Sequence, residues 1–200
     1  MKTGEFMSRL PLVLASSSPY RRELLARLNL PFTCVNPDID ETRQADEPAV
    51  DLVRRLAARK ALRVAEEYPA AIIIGSDQVA TCGQDILSKP GEHTVAVKQL
   101  RELAGKNVLF YTGLCVLNSA SEKLQVDCIQ VNVKFRSLGT DEINRYLMAE
   151  KPYDCAGSFR SEGYGITLVD EIQCDDMTAL IGLPMIRLCE MLREENLKLP

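Results

Sequence analysis

The sequence predicts an α/β fold in which helices cover a central sheet, and three observations carry that expectation. Strand-like and helix-like patterns alternate through the first half of the chain. Ala71 to Ile74 is an unbroken apolar run rich in β-branched residues, the mark of a strand covered on both faces. Val108 to Leu117 and Lys123 to Phe135 are long strand candidates joined by a polar turn at Asn118 to Glu122, so they should pair as an antiparallel hairpin.

Taken in order, Leu12 to Ala15 is the first strand. Ser18 and Pro19 then supply an N-cap and a first-turn proline, and Leu24, Leu25 and Leu28 form the buried stripe of a helix ended by Asn29. A short strand, Phe32 to Val35, leads into a polar, acidic loop from Asn36 to Pro48. Ala49 to Tyr68 repeats Val53, Leu56, Ala57, Lys60, Ala61 and Val64 at helical spacing, and Pro69 stops it. Its interspersed charges read as a solvated face.

Gly75-Ser76-Asp77-Gln78 follows directly on the apolar strand. Val79 to Cys82 and Asp85 to Leu87 read as a hairpin about Gly83-Gln84, ahead of Ser88-Lys89-Pro90-Gly91 and a helix from Glu92 to Ala104. Beyond the long hairpin come a helix over Thr140 to Ala149, the glycine-punctuated stretch Cys155 to Gly165, a strand near Ile166 to Asp170 and a last helix over Pro184 to Glu194. One domain spans residues 8–200. Residues 1–7 read as an N-terminal extension, with Met7 an alternative start.

Of the 200 residues, 46% are hydrophobic and 26% charged, which suits a single domain with a real core. The charge of −4 comes from 28 acidic against 24 basic residues without long runs of one sign, arguing against a broad nucleic-acid or membrane footprint. An aromatic share of 6% also disfavours an RNA-binding sheet surface. The odd count of seven cysteines and the lack of a C-x-x-C pair point to buried free thiols in a reducing cytoplasm. Leu10 to Ala15 is too short for a signal-peptide core, and no apolar run approaches the roughly 18 residues of a membrane span.

Four constellations can carry chemistry. In Ala15-Ser16-Ser17-Ser18-Pro19-Tyr20-Arg21-Arg22, two arginines sit in the first turn of a helix, where they oppose the helix dipole. An anion held by the free N–H groups would repair that imbalance; a capped helix with solvent-facing arginines is the plainer alternative. Asp40 and Glu41 form an acidic pair in the polar loop. Asp77 reads as the carboxyl end of a buried strand, where ligands of open α/β sheets gather, with Gly75 permitting close backbone approach. Converging carboxylates of this kind suit Mg²⁺ or Mn²⁺.

Lys89, fixed by Pro90, could neutralise charge on the same phosphates, or be only a surface lysine. The glycines of Cys155 to Gly165 imply tight turns or close ligand approach. His93, the only histidine, reads as a surface residue, so a Cys-His zinc site is disfavoured. The absence of G-x-x-x-x-G-K-[ST] leaves a P-loop unsupported.

In this order and spacing, A-S-S-S-P-Y-R-R, D-I-D-E, G-S-D-Q-V, S-K-P, Y-T-G-L, C-A-G-S-F-R-S-E-G-Y-G-I and G-L-P resemble the Maf family of nucleotide pyrophosphatases over about Leu12 to Leu192. The resemblance implies an elongated mixed sheet flanked by helices, two lobes with a cleft, similar to inosine-triphosphate pyrophosphatases, and often a homodimer. It implies that Ser16, Arg21, Arg22 and Lys89 bind the phosphates, that Glu41 and Asp77 hold a divalent cation, and that Asp77 is the proton acceptor. Water would attack the α-phosphorus while Arg21 and Lys89 stabilise charge.

Tyr20, Gln78 and Glu162 occupy the positions that sort substrate branches, and this set looks like the 7-methyl-GTP branch, with Tyr20 where that branch often has Trp. An aromatic face can stack on a cationic ring, and a carboxylate can accept guanine N–H groups. The alternatives are a pyrophosphatase for dTTP, UTP or another modified nucleotide, and a non-catalytic regulator of septum formation.

Overall fold

The computed structural model describes residues 10–87 and 89–200. The predicted extension at residues 1–7 and Ser88 of the S-K-P motif lie outside the described residues.

The elements run β1 (Leu12–Ala15), α1 (Pro19–Ala26), β2 (Phe32–Val35), α2 (Ala49–Ala65), β3 (Ile72–Cys82), β4 (Asp85–Leu87), α3 (His93–Leu103), β5 (Asn107–Asn118), β6 (Lys123–Phe135), α4 (Thr140–Glu150), β7 (Val169–Gln173), α5 (Met177–Ile181) and α6 (Met185–Glu194). Seven strands form one mixed sheet in the order β2-β1-β3-β5-β6-β7, with β4 attached to β3. β1 pairs in parallel with β2 and β3, and every other pairing is antiparallel. The predicted α/β class and the long β5–β6 hairpin are therefore borne out, with Asn118 opposite Lys123 at the turn.

At one end of the sheet both faces are covered, as the apolar run in β3 required. Leu12, Leu14, Ile72, Ile74, Leu114 and Val116 pack under α1 and α6. The alternate residues Val13, Ala15, Ile73, Cys115 and Leu117 pack under α2 with Ala57, Ala61 and Val64. At the other end a separate core joins Val108, Phe110, Val131, Val133 and Phe135 to α3, α4 and Phe159. β3 and β5 run through both, so the two lobes share one sheet.

α2 lies directly on the strand backbone. A Cβ built on Gly75 would stand 2.1 Å from the Ala57 carbonyl oxygen, and one on Gly113 would stand 2.2 Å from that of Val53. Gly75 thus serves a helix contact, not the ligand approach that its place in the motif suggested.

Some sequence expectations need correction. Asp77 does not end a strand: β3 continues to Cys82, so Asp77 lies mid-strand where the chain passes from one core to the other. The last strand is Val169–Gln173, because Tyr164–Leu168 forms a 3-10 turn. The short helix α5 was not foreseen. Of the seven free cysteines only Cys115 is buried, and Cys34 is exposed. His93 is half-buried, with Nδ1 3.0 Å from the Tyr153 hydroxyl. No helix among the described residues is long and apolar enough to cross a membrane.

Candidate active site

A break along one edge of β3 opens the site. β1 bonds to β3 as far as Gly75, and β4 takes over the same strand only at Ala80. Residues 76–79 between them have no partner on that edge among the described residues, so Asp77 and Gln78 both reach the cleft although their side chains leave opposite faces. The chain leaving β1 enters Ser16 to Arg22, and the chain leaving β4 reaches Lys89. Motifs far apart in sequence thus converge on one gap.

The cleft consists of two adjoining cavities, ≈ 360 and ≈ 460 Å³, that share Ser18, Tyr20, Arg21, Glu41, Lys60, Lys89 and Asp154. The smaller is walled by the Ser16 to Arg21 segment and is polar, with the cations Arg21, Lys60 and Lys89 alongside the carboxylates Asp38, Glu41 and Asp154. The larger has an apolar floor of Leu52, Leu56, Val79, Leu87, Phe159 and Leu180, crossed by Gln78 and Glu162. Such a volume suits a small ligand, with one charged end and one flat apolar end.

Arg21 leaves the first turn of α1, which contains no acidic residue. Its Nε donates to the Gly182 carbonyl at 2.7 Å, and Nη1 lies 3.5 Å from Ser16 Oγ. Ser16 is buried, and its Oγ also accepts from Ser18 N at 3.1 Å. Burial draws the Arg21 guanidinium below its ordinary value, while Asp77 and Glu41 pull it partly back. A half-buried cation whose first helical turn lacks an acidic residue favours an incoming anion. Arg22 is exposed and lines a separate groove with Ser16, Ser17 and Cys34.

Asp77 is buried, and its Oδ1 accepts from Lys60 Nζ at 2.6 Å; the same ammonium lies 2.7 Å from Glu41 Oε1. Lys60 was read from sequence as part of the apolar stripe of α2 and not as a site residue. A lysine within a run of buried positions was the available signal, since a buried charge needs a partner. Gly75 and Gly113 let α2 settle deep enough for Lys60 to reach Asp77.

Burial alone would raise the Glu41 carboxyl, but the Lys60 hydrogen bond and the charges of Lys60, Lys89 and Arg21 outweigh it and hold it below its ordinary 4.5. The Asn36 to Pro48 loop that carries Glu41 is latched to α2. Arg55 makes a two-pronged contact with Glu47, Nε to Oε1 at 2.6 Å and Nη2 to Oε2 at 2.7 Å, which holds Glu47 at about 2. Arg55 also donates to Thr42 O at 3.2 Å and Arg59 to Asp40 O at 3.3 Å. The α2 charges expected to face solvent therefore shape the loop.

Gln78 Nε2 is surrounded by three acceptors: Thr112 Oγ1 at 3.0 Å, Ala179 O at 2.9 Å and Leu180 O at 3.0 Å. Thr112 donates its own proton to Ala179 O, so the amide nitrogen must be the donor and the Gln78 carbonyl oxygen is left for the cleft. Glu162 contributes two more acceptor oxygens. Gln78 and Glu162 thus put acceptor oxygens on the wall of the larger cavity, which the donors Arg21, Arg43, Lys60 and Lys89 also line.

A profile described as Maf-like protein matches residues 11–195. The chain belongs to the Maf family. Maf proteins similar to it include one from Pseudomonas aeruginosa, 53% identical over 94% of this chain and 98% of that protein, and one from Pseudomonas fluorescens, 52% identical over 96% and 100%. A third, from Albidiferax ferrireducens, is 51% identical over 94% of each chain. All three are named 7-methyl-GTP pyrophosphatase. Among solved structures, the Staphylococcus aureus Ham1 protein aligns with this Maf chain over 94% of its length and 100% of the Ham1 chain, at a TM-score of 0.49 and 12% identity, too distant to bear on function.

Proposed function

We propose that this Maf chain hydrolyses 7-methyl-GTP to 7-methyl-GMP and pyrophosphate, clearing a modified nucleotide from the cytoplasmic pool. The observation that carries the reading is the make-up of the cleft: a polar end that holds Ser16, Arg21, Lys60 and Lys89 adjoins an end with apolar walls where Gln78 and Glu162 offer acceptor oxygens. Guanine presents adjacent N–H donors on its Watson–Crick edge, which Glu162 and the Gln78 carbonyl oxygen match. Uracil and thymine present two carbonyl acceptors and one donor, a poorer match. Methylation at N7 adds a positive charge that favours Tyr20 and Glu162 further. The names of the relatives agree with this substrate.

In this reading the triphosphate lies at the polar end, against Ser16, the N-terminus of α1, Arg21, Arg22 at its border, and Lys89. Asp77 takes the proton from the attacking water on Oδ2, because Oδ1 is committed to Lys60. Lys60 bridges Asp77 and Glu41 and supplies their counter-charge. Arg21, anchored through Gly182, turns its terminal nitrogens to the charge that grows as pyrophosphate leaves, and Lys89, which lines the same cavity, meets the same charge.

Glu41 and Asp77 each keep one oxygen outside the Lys60 contact, and both are hard donors suited to Mg²⁺ or Mn²⁺. Among the described residues no three acidic, histidine or cysteine groups come together, which suits a cation held largely by substrate phosphates and water. When bound there, a divalent cation supplies charge neutralisation on the phosphates.

Initial rates of pyrophosphate release test the proposal, with 7-methyl-GTP, GTP, dTTP and UTP compared in Mg²⁺ or Mn²⁺. The expected result is a kcat/KM for 7-methyl-GTP about tenfold or more above the others. Equal rates, or a pyrimidine preferred, would overturn it.

A further inference from the structure

Arg160 sits in the glycine-punctuated loop, outside the walls of the cleft, and has no part in the chemistry above. Its backbone is fixed, because its N–H donates to the Tyr146 hydroxyl at 3.0 Å and that hydroxyl donates to Ser158 O at 3.1 Å. Its side chain meets three groups. Nε donates to Glu162 Oε1 at 3.2 Å, Nη1 lies 3.5 Å from Glu150 Oε2, and Cζ stands 5.4 Å from the centre of the Tyr20 ring. Glu150 Oε2 is buried without a hydrogen-bond partner among the described residues, so this guanidinium is also its counter-charge.

Two of those three groups, Tyr20 and Glu162, are the ones a cationic base would use. Tyr20 and Glu162 line the cleft while Arg160 approaches them from outside it. The protein therefore already holds one delocalised cation against the aromatic face and carboxylate of its base pocket. A neutral guanine entering the pocket meets no charge penalty from Arg160. A methylated, positively charged guanine meets a like charge and a carboxylate already paired.

We infer that Arg160 is a specificity-determining residue that sets how strongly the pocket prefers a cationic base over a neutral one, by acting as a built-in counter-cation on Tyr20 and Glu162. This rests on the base pocket proposed above. Arg160 lowers the discrimination that Tyr20 and Glu162 would otherwise show, and it does so without filling the cavity. The guanidinium is suited to the task because it stacks on the ring and pairs with the carboxylate at once.

The test is the ratio of kcat/KM for 7-methyl-GTP to that for GTP, measured for the wild type, Arg160→Gln, Arg160→Lys and the double variant Glu150→Gln/Arg160→Gln. The double variant removes the buried carboxylate that the single neutral variant would strand, so loss of folding in one does not decide the matter. The ratio should rise about two- to tenfold in both neutral variants, from the lost repulsion of an exposed ring-stacked and ion-paired cation. It should stay within about twofold of the wild type in Arg160→Lys, which keeps the charge. A ratio that does not rise in the double variant, or that rises equally in Arg160→Lys, would overturn the inference. A wild-type preference with unmoved variants removes this inference alone, whereas a wild type without preference removes the base-pocket reading together with it.

Discussion

Replacing Lys60 with Met removes the single ammonium shared by Asp77 and Glu41 at nearly constant volume. The Lys60 and Asp77 side chains are 6% and 9% exposed, so the lost pair is a buried one. Breaking such a pair from one side costs about 3–5 kcal/mol, and packing of the methionine offsets roughly 1 kcal/mol of that. Glu41 is 54% exposed, so its share is screened to a few tenths of a kcal/mol. The expected net loss is about 2–4 kcal/mol, read by urea unfolding at neutral pH.

The acid limb should move as well. Glu41 titrates below its ordinary 4.5 in the folded chain, so its stabilising increment is complete above that value and is lost as pH falls through the lower folded value. Without the Lys60 hydrogen bond the carboxyl returns toward its ordinary range. The increment shrinks, so the stability of the variant should fall less steeply than that of the wild type between neutral and acid pH. Turnover should fall by about a hundredfold or more, because Asp77 loses the contact that orients Oδ2. A variant with stability within about 0.5 kcal/mol of the wild type and near-normal turnover would refute this account of Lys60.

Asp77→Asn should lower kcat by about a hundred- to ten-thousandfold with nucleotide binding retained, as followed by single-turnover kinetics and calorimetry. Glu162→Gln should shrink the advantage of 7-methyl-GTP over pyrimidine triphosphates by about ten- to a hundredfold in kcat/KM, since it replaces a charged acceptor with an amide. Dialysis against EDTA should abolish turnover, and added Mg²⁺ or Mn²⁺ should restore it in a rate assay. Gly75→Ala should destabilise the fold by about 1–3 kcal/mol or more in chemical denaturation, because its Cβ would lie 2.1 Å from the Ala57 carbonyl oxygen on α2.

Hydrophobic period and turn chemistry were enough to read most strands and helices, since both lobes bury what the alternation marks as apolar. The limits of the reading fall where tertiary contact overrides local pattern. Gly75 looked like the exit from a strand because a glycine has no side chain to pack, yet it is the place where α2 touches the strand. That one misreading put Asp77 at a strand end, when it stands at a gap in the edge of β3 that only the pairing of β1 and β4 defines.

The structure brings Ser16, Arg21, Glu41, Asp77 and Lys89 to one cleft, together with Tyr20, Gln78 and Glu162. Lys60 was hidden by its own periodicity, because a buried lysine and a buried leucine occupy the same helical stripe. Arg55 and Arg59 were hidden by the opposite rule: charges on an exposed helix face usually meet water, and here they meet the loop that carries Glu41.

The most direct test of the central claim is to run the reaction of 7-methyl-GTP in water labelled with heavy oxygen and weigh the products by mass spectrometry. Attack of water at the α-phosphorus, with Asp77 as proton acceptor, predicts one heavy oxygen in 7-methyl-GMP and none in pyrophosphate. Label in the pyrophosphate, or the appearance of 7-methyl-GDP with orthophosphate, would contradict it.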